Sequence, residues 1–222
     1  MNTQSLIEVF STAIPLLMKG AFLTLQISFL ALCIGTILGT FMGILSCKKI
    51  NTYFLNQCVR TYVVFIRGTP VFIQLLIVYF ALPELIGLDI SPVCAGILTL
   101  GMNSTAYVSE IMRGGINSIA LGQWEACHAL GYSQMQTLRF VILPQTIKNM
   151  LPALANESIS LIKESSILMV LGVAELTKVS KDIVARELRP MEIYLLTALL
   201  YLIMTTLLAQ VVKKWERSYD YS

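Results

Sequence analysis

Long apolar runs broken by short polar segments dominate this chain. Between Lys19 and Lys48 lie 28 residues without a charge, enough to cross a hydrocarbon core of about 30 Å with tilt or overhang. A second run, residues 59–82, is interrupted at Arg67-Gly68-Thr69-Pro70, where Pro70 removes a backbone donor and Gly68 loosens the turn before it. Twenty uncharged residues, 90–109, form a third run, and twenty more, 193–212, form the last. Residues 151–175 are ambiguous because Glu157, Lys163 and Glu164 break up their apolar pattern. The pattern predicts an all-α polytopic membrane helix bundle in a single domain, 1–222. It has about five transmembrane helices, near 18–47, 59–82, 90–112, 150–174 and 192–212, with a polar segment at 113–149.

Charge sets the expected orientation. Lys48 and Lys49 place the end of the first span in the cytoplasm and the N-terminus outside. Lys213, Lys214 and Arg217 then lie inside only if residues 150–174 cross, which is why that segment is counted as a span. Arg113, Arg139 and Lys148 mark the polar segment as cytoplasmic. Lys178, Lys181, Arg186 and Arg189 run against the rule by falling outside. Glu175, Asp182, Glu187 and Glu192 balance them, although acidic residues contribute little to orientation.

Composition narrows the function classes. Apolar residues make up 56% of the 222, charged ones 13%, and the mean hydropathy is +0.73, well beyond a soluble domain. The net charge of +3 is spread without a basic run, so no nucleic-acid partner is expected. Five cysteines form no close pair, and neither a disulfide framework nor a zinc site is implied. The start, MNTQSLIEVF, lacks the basic region and cleavage site of a secretory signal, so the first apolar segment is expected to remain as an anchor.

Polar residues inside the runs are the candidates for function. Gly35, Gly39 and Gly43 put three bare positions on one helix face, either for packing within the chain or for a subunit contact. Thr99, Asn103, Tyr107 and Glu110 line one face of the third span, as interhelical glue or as lining of a transport path. Asn156, Glu157, Ser160, Lys163 and Glu164 share an arc of roughly 120° on the fourth. That arc forms an internal ion-pair network or lines a chamber shared with a second subunit. Arg67, with Gly68 and Pro70 beside it, is either structural, paired with a carboxylate near the cytoplasmic end, or involved in gating and substrate contact.

The polar segment 113–149 contains GQWEACHALGYSQMQTLRFVILPQ, residues 122–145. Its first half reads as a short amphipathic helix, with Leu121, Trp124 and His128 on one side and Gln123, Glu125 and Ala126 turned elsewhere; Gly131 is placed to stop it. A further turn or two through Phe140 is expected, with Pro144 blocking any smooth continuation. His128, the only histidine, reads as a contact or surface residue rather than a metal ligand, and Glu125 has no second catalytic group near it.

Glu125-Ala126-Cys127, Gly131, Val141, Leu143 and Pro144 resemble, spacing included, the EAA loop of ATP-binding-cassette importer permeases of the type I fold. Cys127 is the one departure, standing in the third small position. The phrases Tyr62 to Leu75 (YVVFIRGTPVFIQL) and Ala106 to Gly115 (AYVSEIMRGG) resemble the polar amino-acid branch of that family, which carries glutamine, histidine or arginine, and Lys163 to Leu168 (KESSIL) resembles the family's Lys-Asp-Thr-Ser-Leu stretch, with Glu for Asp and Ser for Thr. The resemblance covers almost the whole chain. It implies a permease subunit in the inner membrane of a bacterial cell, coupled to ATPase subunits through Gln123, Trp124, Glu125, Ala126, Cys127 and Gly131. It also implies a second permease subunit, identical or paralogous, and an extracytoplasmic substrate-binding protein. Substrate-path candidates are Asn103, Tyr107, Glu110, Asn156, Lys163 and Glu164.

No GxxxxGK[ST] phosphate loop occurs, so the chain is not expected to be an enzyme or to hold a cofactor; ATP and magnesium belong to the partner ATPase. The rival reading is a secondary transporter driven by protons through Glu110, Glu157 and Glu164. An intramembrane enzyme would need a catalytic constellation that the spans lack.

Overall fold

The computed structural model describes residues 3–47 and 53–220, with side chains at 11–47 and 54–214. It is all-helical over these residues apart from turns and short links. Helix α1, Thr3–Leu45, is longer than the expected first span because Pro15 is absorbed within it. Helix α5, Pro92–Asn117, runs past the expected end at 112, and Ser91 caps its start by accepting from Cys94 N–H. These two helices lie parallel and in register. A Cβ added at Gly35 would sit 2.5 Å from Ser104 Cβ, one at Gly39 would sit 2.7 Å from Val108 Cβ, and one at Gly43 would sit 2.5 Å from Met112 Cβ. The glycine stripe is therefore an intramolecular seam where two backbones close on each other. Because α5 donates every fourth residue to that seam, Thr99, Asn103, Ser104, Thr105 and Ser109 are buried in protein instead of facing lipid.

The second run is an elbow rather than a straight span. Helix α2, Tyr53–Gly68, ends at Pro70, and the chain restarts as α3, Val71–Leu76, which continues through a π-helical turn, Ile77–Ala81, into α4, Leu82–Ile86. The two arms meet at 103°. Helix α2 begins near the end of α5, since Asn56 and Asn117 share a cavity wall, and Leu75 on the far arm packs against Leu100. The segment thus travels the opposite way to α1 and α5.

Helix α6, Leu121–Ala129, and α7, Gln134–Thr137, follow α5. The expectation that Pro144 blocks the next helix is not met. From α7 the chain passes through a π-helical turn, Leu138–Ile142, directly into α8, Leu143–Glu164. Leu143 N–H reaches Leu138 O, one residue further back than in an α-helix, and Gln145 Nε2 donates to Val141 O at 2.9 Å. The widened turn makes room for a proline ring that would otherwise strike the carbonyl four residues back. The same device precedes Pro83, where Leu82 N–H reaches Ile77 O.

Helix α8 lies antiparallel to α5: Gly115 of α5 faces Thr146, and Gly96 faces Leu168 in the 3-10 turn, Ser165–Leu171, that prolongs α8. The segment expected as an outside loop is largely helix α9, Leu176–Glu187, followed by α10, Pro190–Asp220. Glu175 is fully buried, caps α9 by accepting from Thr177 and Lys178 N–H, and accepts from Tyr201 Oη at 3.1 Å. Burial pushes its carboxyl above the ordinary carboxylate value, against the pull of these donors. By length and composition Ser11–Leu45 and Pro190–Lys214 are each able to cross a membrane, as is the elbow taken as one unit. Lys48 and Lys49, on which the expected orientation rests, lie outside the described residues.

Two ends of the bundle follow. One carries Cys47, the start of α2, the end of α5 and α6; the other carries α9 and the first half of α1, where Ala13, Leu17 and Ala21 pack on Leu176 and Ile183. Replacing Gly39 by Ala should destabilise the protein by about 1–3 kcal/mol, since the added methyl overpacks the seam against the backbone oxygen of Thr105. Gly68→Ala, with open space around it, is the control. Thermal unfolding in detergent checks the pair, and equal midpoints would show that the seam opens without cost.

Candidate functional site

Helix α6 stands at one end of the bundle as a short rigid rod. Its stop is a Schellman arrangement: Tyr132 N–H donates to Cys127 O and Gly131 N–H to His128 O, with Gly131 at φ +75°. Ser133 and Gln136 then form a reciprocal capping box that starts α7. Trp124 and Cys127 are 5% and 4% exposed and point inward. Trp124 packs in one cluster with Cys47, Met112, Ile116, Leu138 and Ile142. Among the coupling candidates these two therefore fasten the rod to the bundle, while Gln123, Glu125, Ala126 and Gly131 face outward. His128 is exposed and shares the wall of a cavity of about 300 Å³ with Leu121, Trp124 and Glu125.

Beside it, between α2 and α5, lies a larger polar cavity of about 910 Å³, lined among others by Asn56, Arg60, Arg67, Tyr107, Glu110, Arg113 and Asn117. Glu110 is held by Arg113 through a two-point contact, Nε to Oε1 at 2.9 Å and Nη2 to Oε2 at 2.5 Å. Arg67 is 4.0 Å from the same carboxylate and lies over the Tyr107 ring, 4.9 Å from its centroid. The expected carboxylate partner of Arg67 is thus Glu110, at the outer limit of an ion pair.

The polar stripe of α5 divides. Tyr107 and Glu110 line the cavity, whereas Thr99 donates to Ala95 O and Asn103 is 6% exposed. Asn103 Nδ2 donates to Gln74 Oε1 at 3.4 Å, and Gln74 is the residue that sequence reasoning missed. Pro70 has no N–H to offer Ile66 O, the carbonyl four residues back. Gln74 Nε2 supplies that hydrogen bond at 2.7 Å and also donates to Thr69 O at 3.1 Å and Oγ1 at 2.9 Å. A glutamine one turn after a proline within an apolar run was the available signal. Asn103 therefore joins the elbow to α5.

The arc on α8 is the other surprise. Asn156 and Lys163 are exposed, Glu157, Ser160 and Glu164 are half-buried, and no ion pair links them among the described residues. The internal network expected as one alternative does not form; the charged face stays open. Glu157 comes close enough to Arg67 and Glu164 to feel their charges.

Residues 35–220 match the family described as binding-protein-dependent transport system inner membrane component. The chain belongs to that family. It is 41% identical over 206 residues to the glutamine transport system permease protein GlnP of Escherichia coli K12, covering 92% of this chain and 93% of that one. It is 39% identical over 205 residues to the arginine transport system permease protein ArtQ of Bacillus subtilis, covering 92% of each. The crystal structure of an amino acid ABC transporter with histidines contains a chain 36% identical, superposing with a TM-score of 0.87 over 98% of this chain and 99% of that one. The family places the α6 rod and the α8 face in a transport permease.

Replacing Gln74 by Leu should orphan the carbonyls of Ile66 and Thr69 and cost about 1–3 kcal/mol per lost bond. Gln26→Leu, at an exposed position of α1, should change stability by less than about 0.5 kcal/mol. Denaturation of both variants in detergent decides; a Gln74→Leu midpoint equal to wild type would mean that the elbow does not need the staple.

Proposed function

We propose that this chain is the membrane-spanning permease subunit of an ABC importer for polar amino acids of the glutamine, histidine or arginine class. The observation that carries the reading is the α6 rod. A nine-residue helix, closed at Gly131 and fastened by Trp124 to the ends of α1, α5 and α8, can pass a displacement to three membrane helices at once. Its outward residues Gln123, Glu125 and Ala126 are the contact for an ATPase subunit, which holds ATP and magnesium. A binding protein delivers the amino acid on the opposite side.

A second permease subunit, a copy or a paralogue, covers the open α8 face, because Asn156, Lys163 and their neighbours are costly in lipid. Tyr107, Glu110, Asn156, Lys163 and Glu164 border the path between the two. The α6 end is cytoplasmic, where Arg60, Arg113, Arg139 and Lys148 gather, and the membrane is the bacterial inner membrane. Among the contrary cations of residues 178–189, Lys178 bonds Asp182 at 2.6 Å and Arg186 bonds Glu187 at 2.9 Å, and the orientation rests on the cations gathered at the α6 end.

Gly131→Val forces a β-branched residue into a left-handed conformation and should loosen the rod's end. Purified with the ATPase and reconstituted in liposomes, it should lose about tenfold in stimulated ATP hydrolysis, roughly 1.4 kcal/mol of coupling, while Gly122→Ala stays near wild type. If the wild type binds no ATPase and still moves amino acid under a proton gradient, the chain is a secondary carrier.

A further inference from the structure

The cavity between α2 and α5 holds more positive charge than its walls neutralise. Three guanidinium groups, Arg60, Arg67 and Arg113, face one lining carboxylate, Glu110, which Arg113 already occupies at two points. Arg67 reaches that carboxylate only at 4.0 Å, and Arg60 makes no hydrogen bond or ion pair among the described residues. Counting Glu157, which lies within the reach of Arg67's charge, one positive charge is still uncompensated. Val59, Val63 and Val64 line the same cavity beside these groups, and a concave surface with net positive charge attracts anions.

We infer that this cavity is a carboxylate station on the cytoplasmic side: Arg60 and Arg67 take the α-carboxylate of an amino acid at the inner end of the path. The inference rests on the transport reading above and deepens it. A volume of about 910 Å³ admits a whole amino acid with water. Two amide side chains, Asn56 and Asn117, line the cavity without hydrogen-bond partners among the described residues. Glu110 keeps lone pairs beyond its two bonds to Arg113 and can accept from the ammonium group beside the arginines. Free phosphate shares the anionic chemistry but has no use for that second feature, so an amino acid should be preferred over it.

The test uses the permease–ATPase complex in lipid nanodiscs, without nucleotide or binding protein, and measures binding of labelled L-glutamine, L-histidine and L-arginine. The expected result is binding that 4-aminobutanamide, histamine and agmatine, the same molecules without the α-carboxylate, compete for at least tenfold less well. Inorganic phosphate should compete only weakly. Arg60→Gln should weaken binding about tenfold, and Arg60→Lys should recover part of it. Asn117→Asp, which keeps all three arginines and adds a negative charge, should weaken it likewise, guarding against a simple folding defect. Equal competition by the decarboxylated amines, equal competition by phosphate, or unchanged binding in both Arg60→Gln and Asn117→Asp overturns the station. ATP-driven uptake in proteoliposomes separates the two readings: uptake with unchanged variant binding removes the station alone, whereas no uptake of any amino acid removes the transport reading as well.

Discussion

The close approach of α1 to α5 is the constraint on which the rest of the molecule depends. With glycine at 35, 39 and 43, two backbones meet where side chains would hold them apart, and Ser104, Val108 and Met112 fill the space that remains. In a membrane, helices gain nothing by hiding apolar surface from one another, so fit and hydrogen bonding carry association. A tight seam fixes the rotation of α5, and that rotation decides which polar residues go where. Asn103 faces the elbow, Tyr107 and Glu110 face the cavity, and Met112 and Ile116 face the cluster under α6.

Three prolines, at 70, 83 and 144, interrupt the regular helix, and the interruption is met in two ways. At Pro70 the chain turns through 103° and a side chain, Gln74, replaces the missing donor. At Pro83 and Pro144 the helix widens into a π turn and goes on. The difference follows from what surrounds each site. Around Pro70 a buried glutamine and Asn103 are at hand to accept a sharp bend, and lipid-depth backbone must be satisfied by something. Around Pro144 the π turn itself is packed, with Leu138 and Ile142 both buried in the cluster with Trp124. A bend there would detach α6 from α8, so the sequence keeps the helix and widens it.

Much of this was legible in the residues. The four-residue glycine period announced a close contact, although only the structure shows that its partner is α5 of the same chain. The stop at Gly131 and the break at Pro70 followed from local stereochemistry, which tertiary context left intact. Pro144 was misread because a proline's lost donor can be absorbed by one longer turn, a choice that sequence does not display. Gln74 and Glu175 were missed for a common reason: each is a polar side chain that satisfies backbone groups, and such a role depends on carbonyls and N–H groups whose positions appear only once the chain is folded. The α8 arc was recognised as a face in need of shielding, but its charges form no ion pair among the described residues, and one chain's sequence cannot say which surface completes it.

On the transport reading, the placement of charge separates two tasks that share α5. Arg113 and Glu110 close on each other at hydrogen-bond distance, whereas Arg67 stands off at 4.0 Å on the arm of a bent helix. A tight pair on one helix, three residues apart, is a fixed local feature. A loose pair across two helices is sensitive to their spacing, because Coulomb attraction between partly exposed groups falls quickly as water enters. Moving α2 against α5 therefore changes the Arg67 contact and leaves the Arg113 contact intact. The α6 rod is anchored through Trp124 to the end of α5, next to Met112 and Ile116, so a push on the rod reaches the wall of the cavity within two helical turns. Coupling and the charge on the path then meet in one short stretch of α5, residues 107–117, and the proline elbow supplies the part that can yield.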